Sequence, residues 1–302
     1  MRKNKRIWLI VASSLVIAGL ILFAAVMTAL DWDFTKLSTA KYKTNTYTVT
    51  EAFHKIHIYT EEADILFTPS EDDTCKVVCY EKENCQHIID VQNDSLYIRA
   101  TNNKKWYEYI GINFSTPKLT VSIPQNEYDA LFIKSSTGDV HIPKNFAFEI
   151  LDISVSTGDI TNYASAINTM KIATSTGDIR VDNITVKDLN LTVSTGDIYL
   201  TDIQCGRITS KGSTGNISFK NVIAKENFSI ESSTGDVKFD GCDASEIFVR
   251  TDTGNVTGSL LSGKIFTTKT STGNIRVPQS VPGGKCSVTT SAGDIRLEVK
   301  AN

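Results

Sequence analysis

Acidic side chains recur at one fixed place in the second half of the sequence, and they are its first candidates for chemistry. Each directly follows a glycine: Asp139, Asp159, Asp178, Asp197, Asp236 and Asp294. A row of carboxylates could hold Ca²⁺, because that ion prefers several carboxylate oxygens as ligands. Two carboxylates roughly 5 to 9.5 Å apart could instead hydrolyse a glycosidic bond.

Both possibilities meet objections within the sequence. Asparagine replaces the acid in three copies, at Asn216, Asn255 and Asn274, and the nonapeptide of calcium-binding β-rolls is absent. A carbohydrate-cleaving enzyme also needs long loops that build a cleft, whereas the spacing between copies varies by one residue. We therefore predict that these side chains bond backbone N–H groups at turns, and that the chain has no catalytic residue, metal site or cofactor.

The acids belong to a pentapeptide, Ser-Thr-Gly-Asp-Ile or a close variant, that occurs nine times. Its glycines are separated by steps of 19 or 20 residues. Such a fixed period marks a solenoid, in which each coil is stable only when stacked on its neighbours. The predicted corner glycines are Gly138, Gly158, Gly177, Gly196, Gly215, Gly235, Gly254, Gly273 and Gly293.

Residues around each glycine alternate between apolar and polar, which favours strands over helices. The position two after the glycine always holds valine or isoleucine, and a second apolar column, seven before it, runs from Leu131 to Cys286. Cys242 also shares a column with apolar residues, so both cysteines are predicted to be small buried side chains. Nine coils of paired strands, each about 4.8 Å from the last, would make a rod of roughly 43 Å.

The first half is predicted to contain irregular coils of the same type. Ile56, Ile58, Ile65 and Phe67 reproduce the apolar offsets around Ala63, which replaces the glycine. A further coil is expected to turn at Asn93-Asp94, and the alternating run 119–123 predicts a strand. Loops are expected at about 68–90 and 100–118.

Two other features of the sequence concern contacts with partners. Aromatic and basic residues cluster in the irregular half and could grip a sugar chain, a partner protein or the bilayer interface, or could simply cover the end of the core: Lys104, Lys105, Trp106, Tyr107 and Tyr109. At the other end, the last coil is expected to be an edge strand whose charges, on Arg296, Glu298 and Lys300, discourage end-to-end stacking.

The N-terminus has the pattern of a membrane anchor. Arg2, Lys3, Lys5 and Arg6 precede an uncharged stretch at 7–30, which at about 1.5 Å per residue crosses a bilayer core of roughly 30 Å. A cleavable signal peptide is the alternative, but its apolar region runs only about 7 to 15 residues. We predict a single-pass transmembrane helix with a cytoplasmic N-terminus and an extracytoplasmic solenoid.

The predicted organisation has five parts: a cytoplasmic tail (1–6), a transmembrane helix (7–30), a stalk (31–47), irregular solenoid coils (48–130) and regular coils (131–302). Removing the four tail charges from the net charge of −3 leaves about −7 outside the membrane, so nucleic acid is not an expected partner. Six cysteines match no zinc spacing, and the sequence leaves disulfide pairing open.

The basic start, the single apolar span and the recurring corners on a period of about 19 residues resemble the bacterial putative-adhesin family of unknown function. Its members include membrane-anchored accessory proteins of cell-envelope stress operons. The resemblance covers nearly all of the chain after the predicted anchor. It implies an all-β fold, a single-stranded right-handed parallel β-helix, with a surface or envelope role and no established catalytic residues.

We therefore expect a non-enzymatic, membrane-anchored surface protein that acts as an adhesin or an envelope-binding module. The alternative is an accessory or sensor component of a cell-envelope stress response. A carbohydrate-active β-helix enzyme is less favoured by the uniform coils. The expected partners are the membrane, through the helix, and either cell-wall or surface polymers or another membrane protein.

Overall fold

The computed structural model describes residues 2–37, 41–101 and 115–300. It begins with helix α1 (Arg2–Ala29) and a short 3-10 helix (Phe34–Leu37). Seven strands follow in the first half: β1 (Tyr42–Val49), β2 (Lys55–Glu62), β3 (Asp64–Pro69), β4 (Cys75–Lys82), β5 (His87–Gln92), β6 (Ser95–Ala100) and β7 (Lys118–Ile123).

The repeat region holds the remaining strands, and all 21 strands join one hydrogen-bonded sheet. They are β8 (Glu127–Thr137), β9 (Val140–Ile142), β10 (Ala147–Thr157), β11 (Ile160–Asn162), β12 (Ser165–Thr176), β13 (Ile179–Thr195), β14 (Ile198–Thr214), β15 (Ile217–Thr234), β16 (Val237–Thr253), β17 (Val256–Leu260), β18 (Ile265–Thr272), β19 (Ile275–Arg276), β20 (Lys285–Ala292) and β21 (Ile295–Val299). The predicted all-β solenoid is confirmed, while its right-handed winding stays a prediction.

Helix α1 contains the predicted apolar span. Its segment Arg6–Ala29 has 24 residues and a mean hydropathy of 2.7, so it is long and apolar enough to cross a membrane. Signal sequences near an N-terminus also pass this test of length and composition.

Parallel pairing of identical positions builds the regular part of the stack. Ile179, Ile198, Ile217 and Val237 stand opposite one another in four successive coils, from β13 to β16. The column two residues after each glycine is at most 1% exposed in eight of its nine members. This column therefore forms the core, as predicted, because β-branched side chains pack well on a pleated surface.

The N-terminal coils do not stack in sequence order. Strand β2 lies between β6 and β8, and β3 lies between β7 and β9. The coil around Ala63 is therefore inside the stack, beside the coil of Gly138, and the coil formed by β6 and β7 lies outside it. The strand predicted at 119–123 is confirmed as part of β7.

The predicted solenoid corner at Asn93-Asp94 is wrong. Strands β5 and β6 are antiparallel, and Gln92 stands opposite Ser95, so Asn93 and Asp94 form the two-residue turn of a hairpin. Both residues have positive φ, 48° and 62°, which asparagine and aspartate tolerate and which two-residue hairpins require. The same residue types therefore serve a different turn from the one expected.

Antiparallel strands seal this end of the stack. Strand β4 pairs with β7 on one side and with β1 on the other. The loop expected at 68–90 is therefore wrong, because β4 and much of β5 occupy it. Strand β1 starts inside the segment predicted as a stalk, so residues 42–47 belong to the sheet.

The C-terminal coils also change places. Strand β20 lies between β16 and β18, and β21 lies between β17 and β19. The N–H of Gly254 donates to Ala292 O and the N–H of Gly293 to Thr272 O, both at 2.9 Å. The coil of Gly293, last in the sequence, is thus inserted one place inside the stack, and the coil of Gly273 is outermost. The edge strand expected at the chain's end is therefore wrong: the edge belongs to β18 and β19.

Candidate binding surface

The corner acids hold neighbouring coils together. Asp178 Oδ1 accepts the backbone N–H of Asp197 at 2.8 Å, and Asp197 Oδ1 accepts that of Asn216 at 2.7 Å. The same bond runs from Asp64, which accepts from Asp139, to Asp294 at the far end. Asparagine can replace aspartate in this row because its side-chain oxygen accepts the same bond. These bonds join the corners of neighbouring coils and give the acids a structural role.

A buried cluster in the sealed end has the residue types of a metal site. Ligand atoms of Cys79, Glu81 and His87 all lie within 4.8 Å of one another. However, Glu81 Oε1 accepts from Asn45 Nδ2 at 2.5 Å, and Oε2 lies 2.7 Å from both His87 N and Nδ1. Thr60 Oγ1 lies 3.1 Å from His87 Nε2. These bonds occupy both carboxylate oxygens and both ring nitrogens, so the cluster is a hydrogen-bond network that ties four strands together.

The buried cysteines are core residues without disulfides. Cys242 and Cys286 are fully buried, as predicted, and they are unpaired, as are Cys75, Cys79 and Cys205. Burial raises the pKa of the Cys205 and Cys286 thiols to about 12. Because the thiolate is the nucleophilic form, these side chains are unsuited to catalysis at neutral pH.

The predicted contact residues Lys104, Lys105, Trp106, Tyr107 and Tyr109 lie outside the described residues. The structure describes the strands on either side of this segment: β6 ends at Ala100 and β7 begins at Lys118. Strand β6 pairs with β2, which precedes Ala63, and β7 pairs with β3, which follows it. The segment between them thus connects the two strands of the outermost N-terminal coil.

Three rings stack on the outer surface of the first three coils. His57 lies between Tyr97 and Phe132, with ring centroids 4.8 Å away on each side and interplanar angles of 18° and 17°. The parallel register of β6, β2 and β8 places these residues opposite one another. Burial, together with Arg99 and Lys55, lowers the pKa of His57, which favours the neutral ring.

A row of cations and tyrosine runs next to the ring stack. Arg99, Tyr59 and Lys134 occupy opposite positions on the same three strands. The Arg99 guanidinium lies 4.1 Å from the Tyr97 ring centroid, and Tyr59 is 41% exposed. We call these six residues the aromatic-basic face: His57, Tyr59, Tyr97, Arg99, Phe132 and Lys134.

The aromatic-basic face can bind an anionic partner with apolar surface. Lys134 and Arg99, whose guanidinium also lies 3.6 Å from Asp90 Oδ1, supply donors for carboxylate or phosphate groups. The rings supply rigid, amphipathic contact area. Sequence reasoning missed this face because it gave no indication that the rings of three separate strands would meet. Two of the rings could have been matched from the repeat, because His57 and Phe132 both lie six positions before a corner residue, Ala63 and Gly138. Tyr97 joins them only because the coils do not stack in sequence order.

A family model described as Toastrack DUF4097 matches residues 53–221 and 201–302, which is most of the chain. The chain belongs to the Toastrack DUF4097 family. No curated protein matches it at a significant level.

Solved structures that match the chain include proteins from Bacteroides fragilis and Parabacteroides distasonis. A putative adhesin from Bacteroides fragilis is 16% identical with a TM-score of 0.40, and covers 85% of this Toastrack chain and 97% of its own. A putative adhesin from Parabacteroides distasonis is 11% identical with a TM-score of 0.48, over 85% and 98% of the two chains. A putative lipid binding protein from the same species is 15% identical with a TM-score of 0.46, over 85% and 97%.

Proposed function

We propose that this protein is a non-enzymatic, membrane-anchored module that binds a polymer of the cell envelope. The proposal rests on the aromatic-basic face, which lies on a rigid solenoid at the end where the chain leaves α1. The corner acids, the obvious candidates for glycosidic chemistry, are engaged in bonds between coils. A binding role is therefore better supported than a hydrolytic one.

The proposed orientation places the N-terminus in the cytoplasm and the solenoid outside. Arg2, Lys3, Lys5 and Arg6 precede the apolar segment, and basic residues favour the cytoplasmic side. The sealed end of the stack then lies nearest the membrane, because β1 follows α1 closely in the chain. An adhesin role, which the names of these two structural neighbours suggest, is consistent with this placement.

The proposed ligand is a sugar polymer that carries phosphate or carboxylate groups. Such a polymer would pair its anions with Arg99 and Lys134 and place sugar rings against Tyr59 and the neighbouring ring stack. The register spaces these three side chains by one coil each, about 4.8 Å. Repeated sugar units could therefore contact the row at more than one point.

The proposal predicts that the double variant Tyr59→Ala with Lys134→Ala loses retention on cell walls. Each contact is worth about 1 kcal/mol, so the two together weaken binding at least about tenfold. The full chain in detergent micelles is sedimented with purified cell walls that retain or lack their anionic polymers, and the bound fraction is measured.

The control is Thr192→Ala with Lys211→Ala, which truncates the same outward column in two central coils, where it has no aromatic residue. Equal retention of the double variant and the unaltered chain on walls that carry anionic polymers would refute the proposal. Capture of another membrane protein instead of the polymer would favour the accessory role in envelope stress.

A further inference from the structure

The two ends of the stack differ, and the end far from α1 is open. Within the described residues, β18 pairs only with β20, and β19 only with β21. One edge of each strand therefore faces away from the stack. No antiparallel strand covers this edge in the described part of the chain, in contrast with the sealed end, where β4 and β1 extend the sheet. We call the outermost coil 265–276 and the following segment 277–282 the open end.

Apolar side chains reach solvent at the open end, Ile275 from the inward column and Ile265 from the outward position that Lys285 occupies in the neighbouring coil. Ile265 and Ile275 are each 46% exposed, and Val281 is 45% exposed. Ile275 is the one member of the inward column, two after each glycine, that is exposed. The segment 277–282 covers part of this surface, since Val281 N donates to Lys264 O and Phe266 N donates to Ser280 Oγ. Terminal repeats of solenoids usually have a polar outer face, so this surface is unusual.

The open end is also basic, in a chain that is acidic overall. Residues 253–293 contain no aspartate or glutamate, and their charged residues are Lys264, Lys269, Arg276 and Lys285. Lys264 is buried and lies 2.7 Å from Asp243. Lys269, Arg276 and Lys285 are exposed, and none of them forms an ion pair with a residue that the structure describes. Three cations therefore surround an apolar surface with unpaired strand edges.

We propose that the open end binds an extended, acidic segment of a partner protein by strand addition. Such a segment would pair with the outer edge of β18 beyond Phe266, continue the core with alternate apolar side chains, and place its acidic side chains near Lys269 and Arg276. Each of the three features of the open end is then used: backbone groups, apolar side chains and cations.

A second copy of this chain fits the open end less well. Among the described residues, β1 and β4 cover the core at the sealed end, so the contact that would bury apolar surface of both copies joins their open ends. That contact would bring Lys269 and Arg276 close to the same residues of the other copy, and like charges oppose association. An anionic lipid surface or polymer would use the cations but leave the strand edges unpaired. This site is separate from the aromatic-basic face, so the two proposals can fail independently.

The test uses the full chain in detergent micelles and a labelled ten-residue peptide in which valine alternates with glutamate. We expect this peptide to bind at least about tenfold more tightly than a peptide of alternating valine and lysine, measured by fluorescence anisotropy. The variant Lys269→Glu with Arg276→Glu should reverse this preference. Lys238→Glu is the matched control, because Lys238 is exposed at the same coil position as Arg276 in a central coil.

Two further measurements separate strand addition from charge attraction. Methylation of alternate backbone nitrogens in the acidic peptide should weaken its binding at least about tenfold, because it removes donors to the edge of β18. Equal binding of the methylated peptide would overturn the proposal. A dimer of the full chain that Lys269→Glu abolishes would also overturn it. Binding of the chain to phosphatidylglycerol vesicles, without competition from the acidic peptide, would do the same.

Discussion

Replacing Gly196 with alanine is expected to lower the free energy of unfolding by about 3 to 5 kcal/mol. Gly196 has φ +140°, a conformation that side chains disfavour by about 1–3 kcal/mol. An added Cβ would also lie 2.0 Å from Gly177 O, a backbone atom of the preceding coil. The preceding coil must move to make room for the Cβ. Each hydrogen bond between coils that is lost as a result costs about 1 kcal/mol of unfolding free energy. Urea unfolding of the purified chain, followed by circular dichroism, measures the change.

Gly212→Ala is the matched control, because Gly212 lies on the strand that leads into the next corner, where an added Cβ meets nothing closer than 3.6 Å. Its unfolding free energy should stay within about 0.5 kcal/mol of the unaltered chain, or rise slightly, since alanine restricts the unfolded chain. Equal stability of the two variants would show that coils do not approach closely at the glycine corners.

Replacing Glu81 with alanine is expected to cost about 3 to 5 kcal/mol of unfolding free energy. Glu81 is fully buried, and its removal leaves Asn45 Nδ2 and the His87 N–H without acceptors inside the sealed end. Unpaired buried polar groups cost about 1–3 kcal/mol each, and charged groups cost more. Hydrogen exchange of the amides in β1 and β5 should rise most, because the network joins those strands to β4.

Glu83→Ala is the control for that loss, because Glu83 is an exposed residue of the same type two positions away. Its free energy of unfolding should lie within about 0.5 kcal/mol of that of the unaltered chain. A Glu81→Ala variant as stable as Glu83→Ala would mean that the buried network does not hold the sealed end together.

The repeat could be predicted from sequence because one physical requirement recurs in every coil. Each coil needs inward β-branched residues such as Ile198 and a corner residue without a large side chain, as at Gly196. The same rule identified the coil of Ala63, whose position beside Gly138 was not predicted. Local pattern is thus sufficient where stacking repeats the same contacts.

The order of the coils could not be predicted, because Val256, Ile275 and Ile295 offer equivalent inward side chains to any neighbour. Only the chain connections decide which coil is outermost. At the sealed end, Cys75, Val77 and Cys79 alternate inward along β4, but this alternation was assigned to a loop, because antiparallel strands fall outside the solenoid period. The aromatic-basic face was missed for the same reason, since Tyr97 meets His57 through coil order.

Disulfide trapping at the end of the stack tests this coil order most directly. Thr257 stands opposite Arg296, and Arg296 opposite Arg276, on strands that are each about 4.8 Å apart. Mild oxidation of full-length Thr257→Cys with Arg296→Cys should therefore form a bond that mass spectrometry identifies in a digest. Thr257→Cys with Arg276→Cys should not, because about 9.6 Å exceeds the reach of a disulfide. The opposite result would place the coils in sequence order and remove the open end.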